Sequence, residues 1–144
     1  MGIATSLNNY YLFTNYFESI SLYDLLFTEK QELTESNKNF IVEQILAGLN
    51  YLHSDLGNKP EIVHRDLKPG NILVDKNFQT KICDLGLSKC DNIAQSLKSN
   101  SVNIKGTTKY MAPETLIMYG IQTARSDIWA AALTFVEIYS RQKA

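Results

Sequence analysis

No stretch of this sequence is apolar for long enough to span a bilayer, and no charged-then-apolar segment opens it as a secretory signal would. A membrane partner is therefore not expected. Charge of one sign is also scarce. The 14 Lys and Arg stand against 15 Asp and Glu, a formal net charge of −1, which argues against a basic nucleic-acid binder. The two cysteines, Cys83 and Cys90, are predicted to lie in a strand and a loop. Neither has a second Cys or His at metal-ligand spacing, so reduced thiols and a cytoplasmic location are expected. Internal repeats and low-complexity tracts are absent too. What remains is 144 residues, 44% of them hydrophobic, which is enough apolar material for a globular chain.

Against that background stands one passage, His64-Arg65-Asp66-Leu67-Lys68-Pro69-Gly70-Asn71. Its residue types follow the order that phosphoryl transfer to a hydroxyl needs. Asp66 is suited to accept the hydrogen of an acceptor hydroxyl, and Asn71 to hold a metal ion beside a triphosphate. Lys68 brings positive charge to the phosphate being moved. A polar loop that spells eight ordered positions by chance is the bland alternative, and the length of the match argues against it. The passage resembles the catalytic loop of eukaryotic protein kinases, with a lysine two after the aspartate as in the serine/threonine type. That resemblance implies ATP as phosphoryl donor, Mg2+ as the metal, and Ser/Thr hydroxyls of protein substrates as acceptors.

Downstream, Ile72-Leu73-Val74-Asp75 and Thr80-Lys81-Ile82-Cys83 read as two short strands around a Lys76-Asn77 turn. They lead into Asp84-Leu85-Gly86, similar to the family's metal-binding triplet but with Leu85 where phenylalanine is usual. The resemblance assigns Asp84 to the metal, and Gly86 is expected to give the backbone freedom for a sharp turn. Gly106-Thr107-Thr108-Lys109-Tyr110-Met111-Ala112-Pro113-Glu114 resembles the close of an activation segment, with Thr107 hydrogen-bonded to the catalytic aspartate and lysine. Between Lys89 and Gly106 the sequence is polar and aperiodic, a predicted loop. Ser96, Ser99 and Ser101 are candidates there for a regulatory phosphate that Arg65 would pair with, set against their reading as ordinary loop serines.

Upstream, Tyr10-Tyr11-Leu12-Phe13-Thr14 reads as a strand, Asn15 to Glu18 as a connector, and Ser21 to Leu26 as a helix start. These are similar to the fifth strand, hinge and next helix of a kinase. The resemblance places Thr14 at the back of the adenine pocket, the backbone of Asn15 and Phe17 against the adenine edge, and Leu73 under the ring. Met1-Gly2 followed by Ser6 also fits the loose myristoylation pattern, but the likeness of Met1 to Thr5 to a preceding kinase strand is preferred. From about Ser36 to His53, Phe40, Ile41, Ile45, Leu49 and Leu52 recur at helical spacing. His53 is expected to cap or pack, and His64 to be held by backbone; neither is assigned to proton transfer. Asp127-Ile128-Trp129 onward resembles the central helix of the large lobe, with Asp127 bonded to the loop backbone near His64 and Ala130-Ala131-Ala132 allowing close packing.

The expected fold class is α+β, a protein-kinase-like fold dominated by the helical large lobe. Residues 1–18 would be the end of the small lobe and the hinge, and 19–144 the first part of the large lobe. A G-x-G-x-x-G loop, a lysine in a V-A-I-K setting and its glutamate helix do not occur in these 144 residues, so the small lobe is expected to be largely missing. Ile128, Trp129, Leu133, Phe135, Val136, Ile138 and Tyr139 include side chains meant for burial, and each would forfeit roughly 1.5–3 kcal/mol if left in water. Low activity and poor solubility are therefore expected of the chain alone, with a complementing kinase lobe as a partner. An inactive pseudokinase-like or docking fragment is the rival, opposed by the intact Asp66, Lys68, Asn71 and Asp84.

Overall fold

The computed structural model describes residues 2–6, 9–90, 106–117 and 122–143, without the side chains at positions 2, 3, 9, 10, 12, 89 and 90. Ser96, Ser99 and Ser101 lie outside the described residues. The chain opens with an antiparallel hairpin, β1 (Gly2–Ser6) and β2 (Asn9–Phe13), in which Gly2 pairs with Phe13. Gly2 is thus a strand residue, and Thr14 falls just outside β2 rather than within it.

After a connector comes β3 (Ile20–Ser21) and a wide, π-type helical turn, Asp24–Thr28. Ser21 starts that turn: its Oγ accepts from the Asp24 amide at 3.0 Å and donates to Asp24 Oδ2 at 2.6 Å. Leu22, Leu25 and Leu26 go inward and are buried.

Helix α1 (Glu35–His53) is capped by Thr34, whose extended backbone lets Oγ1 accept from the Asn37 amide at 3.2 Å. Ile41, Ile45, Leu49 and Leu52 form its buried row, spaced four, four and three. Phe40, one position ahead of the row, is turned about 100° from Ile41 and is exposed, contrary to its expected place in the core. Gln44, off the apolar row, faces Phe78 and Thr80. Its Oε1 accepts from Thr80 N at 2.9 Å, and its Nε2 donates to Phe78 O at 2.9 Å.

Strand β4 (Ile62–Val63) precedes the catalytic-loop passage. A single 3-10 turn, Pro69–Asn71, closes it, and β5 (Ile72–Val74) and β6 (Thr80–Ile82) follow. The sheet order is β3-β5-β6, all antiparallel, with Leu73 opposite both Ser21 and Lys81. Strand β7 (Lys89–Cys90) returns to pair with β4. Both cysteine expectations are therefore reversed: Cys83 sits just past the end of β6, and Cys90 lies in a strand. A short helix α2 (Pro113–Ile117) and the long α3 (Ala124–Ser140) complete the described chain.

Leu22, Leu26, Ile41, Ile45, Leu49, Leu67, Ile72, Val74, Ala130, Ala131 and Ile138 pack into one core between the small sheet, α1 and α3. Each fully buried Leu or Ile contributes roughly 1.5–3 kcal/mol. Of the apolar residues of α3 expected to need further cover, Ile138 is buried and Leu133 and Phe135 pack against the core, whereas Ile128, Trp129, Val136 and Tyr139 form a second face, each more than 40% exposed, that no described residue covers. Among the described residues no helix is long and apolar enough to cross a membrane.

Candidate active site

The loop is held from below by one carboxylate. Asp127, in the first turn of α3 and 2% exposed, accepts from the amide of His64 through Oδ2 at 2.7 Å and from that of Arg65 through Oδ1 at 2.9 Å. The ring of His64 is fully buried; Nδ1 faces the Asp66 amide at 3.3 Å and Nε2 the carbonyl of Cys83 at 3.0 Å. An amide needs an acceptor and a carbonyl a donor, so this histidine carries its proton on Nε2. It is a structural link between loop and hairpin.

Arg65 adopts a left-handed φ of 74°. For a residue with a Cβ this costs about 1–3 kcal/mol and persists only where neighbours over-determine it. Here they do. Beyond the Asp127 contact, Gln122 accepts from Arg65 Nε at 2.8 Å and donates from Nε2 to Arg65 O at 3.0 Å. Gly106 completes the fit with φ 116°, and a Cβ on it would lie 2.7 Å from Arg65 O. Only glycine fits there.

Above this base the four residues assigned to catalysis meet. Asp66 Oδ2 receives Lys68 Nζ at 2.7 Å and Asn71 Nδ2 at 3.1 Å; Oδ1 receives the Thr107 amide at 2.7 Å and its hydroxyl at 2.8 Å. Lys68 Nζ also donates to Thr107 Oγ1 at 2.6 Å, closing a triangle. Burial pushes the Asp66 carboxyl up, but hydrogen bonds from Lys68 and Thr107 together outweigh it, so the group sits below the ordinary carboxylate value. At neutral pH it is an ionised acceptor.

Asn71 is 7% exposed, and its Nδ2 also donates to Asp66 O at 2.8 Å. Its amide nitrogen is thus fully engaged, which leaves Oδ1 as the atom that could face a cation. Asp84, at the other side, is exposed and left-handed at φ 60°. The sharp turn is therefore made by Asp84 itself, not by Gly86 as its type suggested. What Gly86 supplies is space: its amide donates to Asp84 Oδ1 at 3.3 Å, and a Cβ would sit 3.0 Å from that oxygen. A carboxylate and a carboxamide oxygen are hard donors that suit Mg2+, which takes few protein ligands and keeps several waters.

The residues assigned to adenine are not drawn together in the same way. Thr14 and Asn15 are exposed in the connector, and no hydrogen bond among the described residues ties either to the catalytic cluster. Phe17 lies under Lys81 Nζ, 4.2 Å from its ring centre, and Leu73 is the strand partner of Lys81. A cavity of about 420 Å3 beside the connector is lined by Phe17, Ile20, Leu25 and Val74, but not by Thr14, Asn15 or Leu73.

Several contacts escaped the sequence. Gln122 follows no recognisable motif. Glu137, fully buried in α3, accepts from Lys109 Nζ at 3.0 Å and from the Tyr110 hydroxyl at 3.0 and 3.1 Å. Burial and the adjoining Glu137 charge push the Tyr110 hydroxyl far up, so it stays a donor. His53 points Nε2 at Asp127 Oδ2, 2.8 Å away, rather than merely capping α1. A signal for it was present: His53 continues the buried spacing of Ile41, Ile45 and Leu49.

Comparison with known proteins agrees with this geometry. The chain is 37% identical over 125 residues to a probable LRR receptor-like serine/threonine-protein kinase of Arabidopsis thaliana, covering 86% of this chain and 19% of that protein. It is 33% identical over 140 residues to mitogen-activated protein kinase 5 of Oryza sativa subsp. indica, covering 97% and 35%. A probable serine/threonine-protein kinase of Arabidopsis thaliana is 40% identical over 143 residues, covering 99% and 13%. The chain thus spans between 13% and 35% of the length of these relatives. The protein kinase domain profile matches residues 1–144, and the chain belongs to the protein kinase domain family.

Proposed function

We propose that these residues transfer the γ-phosphoryl group of ATP to Ser or Thr hydroxyls of protein substrates. The observation that carries this is the Asp66 carboxylate, fixed on one oxygen by Thr107 and on the other by Lys68 and Asn71. Thr107 and Lys68 keep it ionised, so it can take the hydroxyl proton as the new O–P bond forms and the bond from the γ-phosphorus to the bridging oxygen breaks, releasing ADP. Lys68, already oriented by two bonds, places a positive charge beside the phosphoryl group in flight. Thr107 holds the pair in register. Asn71 Oδ1 and the Asp84 carboxylate would hold Mg2+, which when bound neutralises charge on the phosphates. Thr14, the backbone of Asn15 and Phe17, and Leu73 would receive the adenine.

In this reading residues 1–18 are the end of the small lobe with the hinge, and 19–144 are the first part of the large lobe. The phosphate-covering glycine loop and the strand lysine, absent from these 144 residues, would come from a complementing kinase lobe. The chain alone is therefore expected to turn over slowly. A cytoplasmic location is supported by the two cysteines without metal-ligand spacing. The test is transfer from γ-labelled ATP with Mg2+ to a mixed protein acceptor, with and without an added small lobe. Label on serine and threonine that disappears in Asp66→Asn is the expected result. Label on tyrosine, or transfer indifferent to Asp66→Asn, would overturn the proposal.

A further inference from the structure

The small sheet carries different residues on its two faces. Leu73 of β5 lies directly opposite Lys81 of β6, so both side chains project on one face. Val74, the next residue, projects on the other and is buried. Lys81 is exposed, yet its ammonium is not left to water alone: Nζ lies 4.2 Å from the ring centre of Phe17. Among the described residues Lys81 forms no ion pair. Phe17 belongs to the connector that leads into β3, and in the order β3-β5-β6 the strand β5 stands between the two. The contact therefore spans β5 on the face that carries Leu73, and ties the connector to the far strand of the sheet. Little else does. Among the described residues no hydrogen bond or ion pair joins 14–18 to the sheet, and the bond from Ser19 Oγ to Phe17 O at 2.9 Å is local. The half-buried Phe17 ring also walls the cavity of about 420 Å3 with Ile20, Leu25 and Val74, which neither Lys81 nor Leu73 lines. The ring thus has apolar neighbours across that cavity and a cation on the Leu73 face.

We propose that Lys81 is a positioning residue for the adenine end of the nucleotide: it holds Phe17 against the Leu73 face of the sheet and thereby sets the separation between the connector backbone and the Leu73 floor. Its effect on binding rests on the assignment of Phe17 and Leu73 to adenine; its effect on the connector does not.

The experiment uses the full chain and adenosine, which has the base but no phosphate on which a lysine charge could act directly. Lys81→Met keeps the stem and removes the cation, whereas Lys81→Arg keeps the cation. In calorimetric titration Lys81→Met should weaken adenosine about two- to fivefold, the worth of an exposed cation–π contact, and Lys81→Arg should stay within about 1.5-fold of wild type. In a Phe17→Leu chain the same Lys81→Met change should move the affinity by less than about 1.5-fold, because the ring it acts through is gone. In transfer assays Lys81→Met should raise the KM for ATP about two- to fivefold and leave kcat within about 1.5-fold. Backbone NMR order parameters at Tyr16, Phe17 and Glu18 need no ligand; they should fall in Lys81→Met and recover in Lys81→Arg. Unchanged adenosine affinity in Lys81→Met would overturn the proposal, as would an equal loss with and without the Phe17 ring. So would a loss seen with ATP but not with adenosine, since the lysine would then act on the phosphates. If the wild-type chain binds no adenosine, the adenine assignment fails by itself and the order parameters decide the role of Lys81. Unchanged values in Lys81→Met then overturn its hold on the connector, and a fall with recovery in Lys81→Arg upholds it.

Discussion

The catalytic loop and the connector before β3 are both irregular, polar and close to the sheet, yet they are built in opposite ways. In the loop every residue from His64 to Lys68 except Leu67 has a side-chain hydrogen bond, and the partners outside the loop are Asp127 of α3, Gln122, the Cys83 carbonyl and Thr107. In the connector Thr14, Asn15 and Tyr16 are exposed, and Ser19 bonds only to the carbonyl of Phe17. An unbonded polar loop is stable where water reaches it; a half-buried one is stable only when its donors and acceptors are met. The difference shows where this fold holds an exact geometry through its own side chains and where, among the described residues, it does not.

That contrast can be broken most forcefully at its centre. Asp66→Asn should reduce phosphoryl transfer by about a thousandfold, within the range for removing a general base. A variant that keeps more than about a tenth of the activity would show that the network around Asp66 is scaffold only. Gly106→Ala comes next. Its Cβ would meet Arg65 O at 2.7 Å in a backbone region that alanine avoids, so a loss of about 2–4 kcal/mol is expected in chemical denaturation.

Acid should act on the loop and spare the connector. Asp66 is held below its ordinary value in the folded chain, so its contribution is fully present above the unfolded-state pKa and is lost as pH falls through the lower folded one. Denaturation midpoints taken from neutral pH down to about pH 3 should therefore fall further for the wild type than for Asp66→Asn. Parallel curves would show that the Lys68 and Thr107 contacts contribute no pH-dependent stability. The smallest effect belongs to the connector. Thr14→Ala should change stability by less than about 0.5 kcal/mol, as exposed substitutions do, and alter only the affinity for adenine nucleotides, read by calorimetric titration. A larger loss of stability would mean that the connector is packed after all.

Legibility followed the same divide. The octapeptide and the hairpin after it could be read because residue order alone places Asp66, Lys68 and Asn71 within one short turn, and α1 because its apolar spacing is helical. What could not be read depended on segments meeting across the fold. Gln122 reaches Arg65 from 57 residues away, and His53 reaches Asp127 from 74 away; the spacing of His53 shows that it turns inward, but no local pattern names the partner of either residue. Phe40 was misplaced because an apolar type next to a buried row looks like part of it. At Asp84 and Gly86 residue type alone points to the glycine as the turning residue, whereas the carboxylate tolerates the left-handed backbone by capping the next turn through Gly86 N.

The uncovered face of α3 has a spectroscopic consequence. Trp129 is the only tryptophan in the chain, 44% exposed, and two residues from Asp127 on the same helix. Its fluorescence is therefore a single-site signal from the outer side of the helix that anchors the catalytic loop. Emission should shift to shorter wavelength when anything apolar settles on Ile128 and Val136. Nucleotide bound above Asp66, on the opposite side of that anchor, should leave the emission maximum where it was.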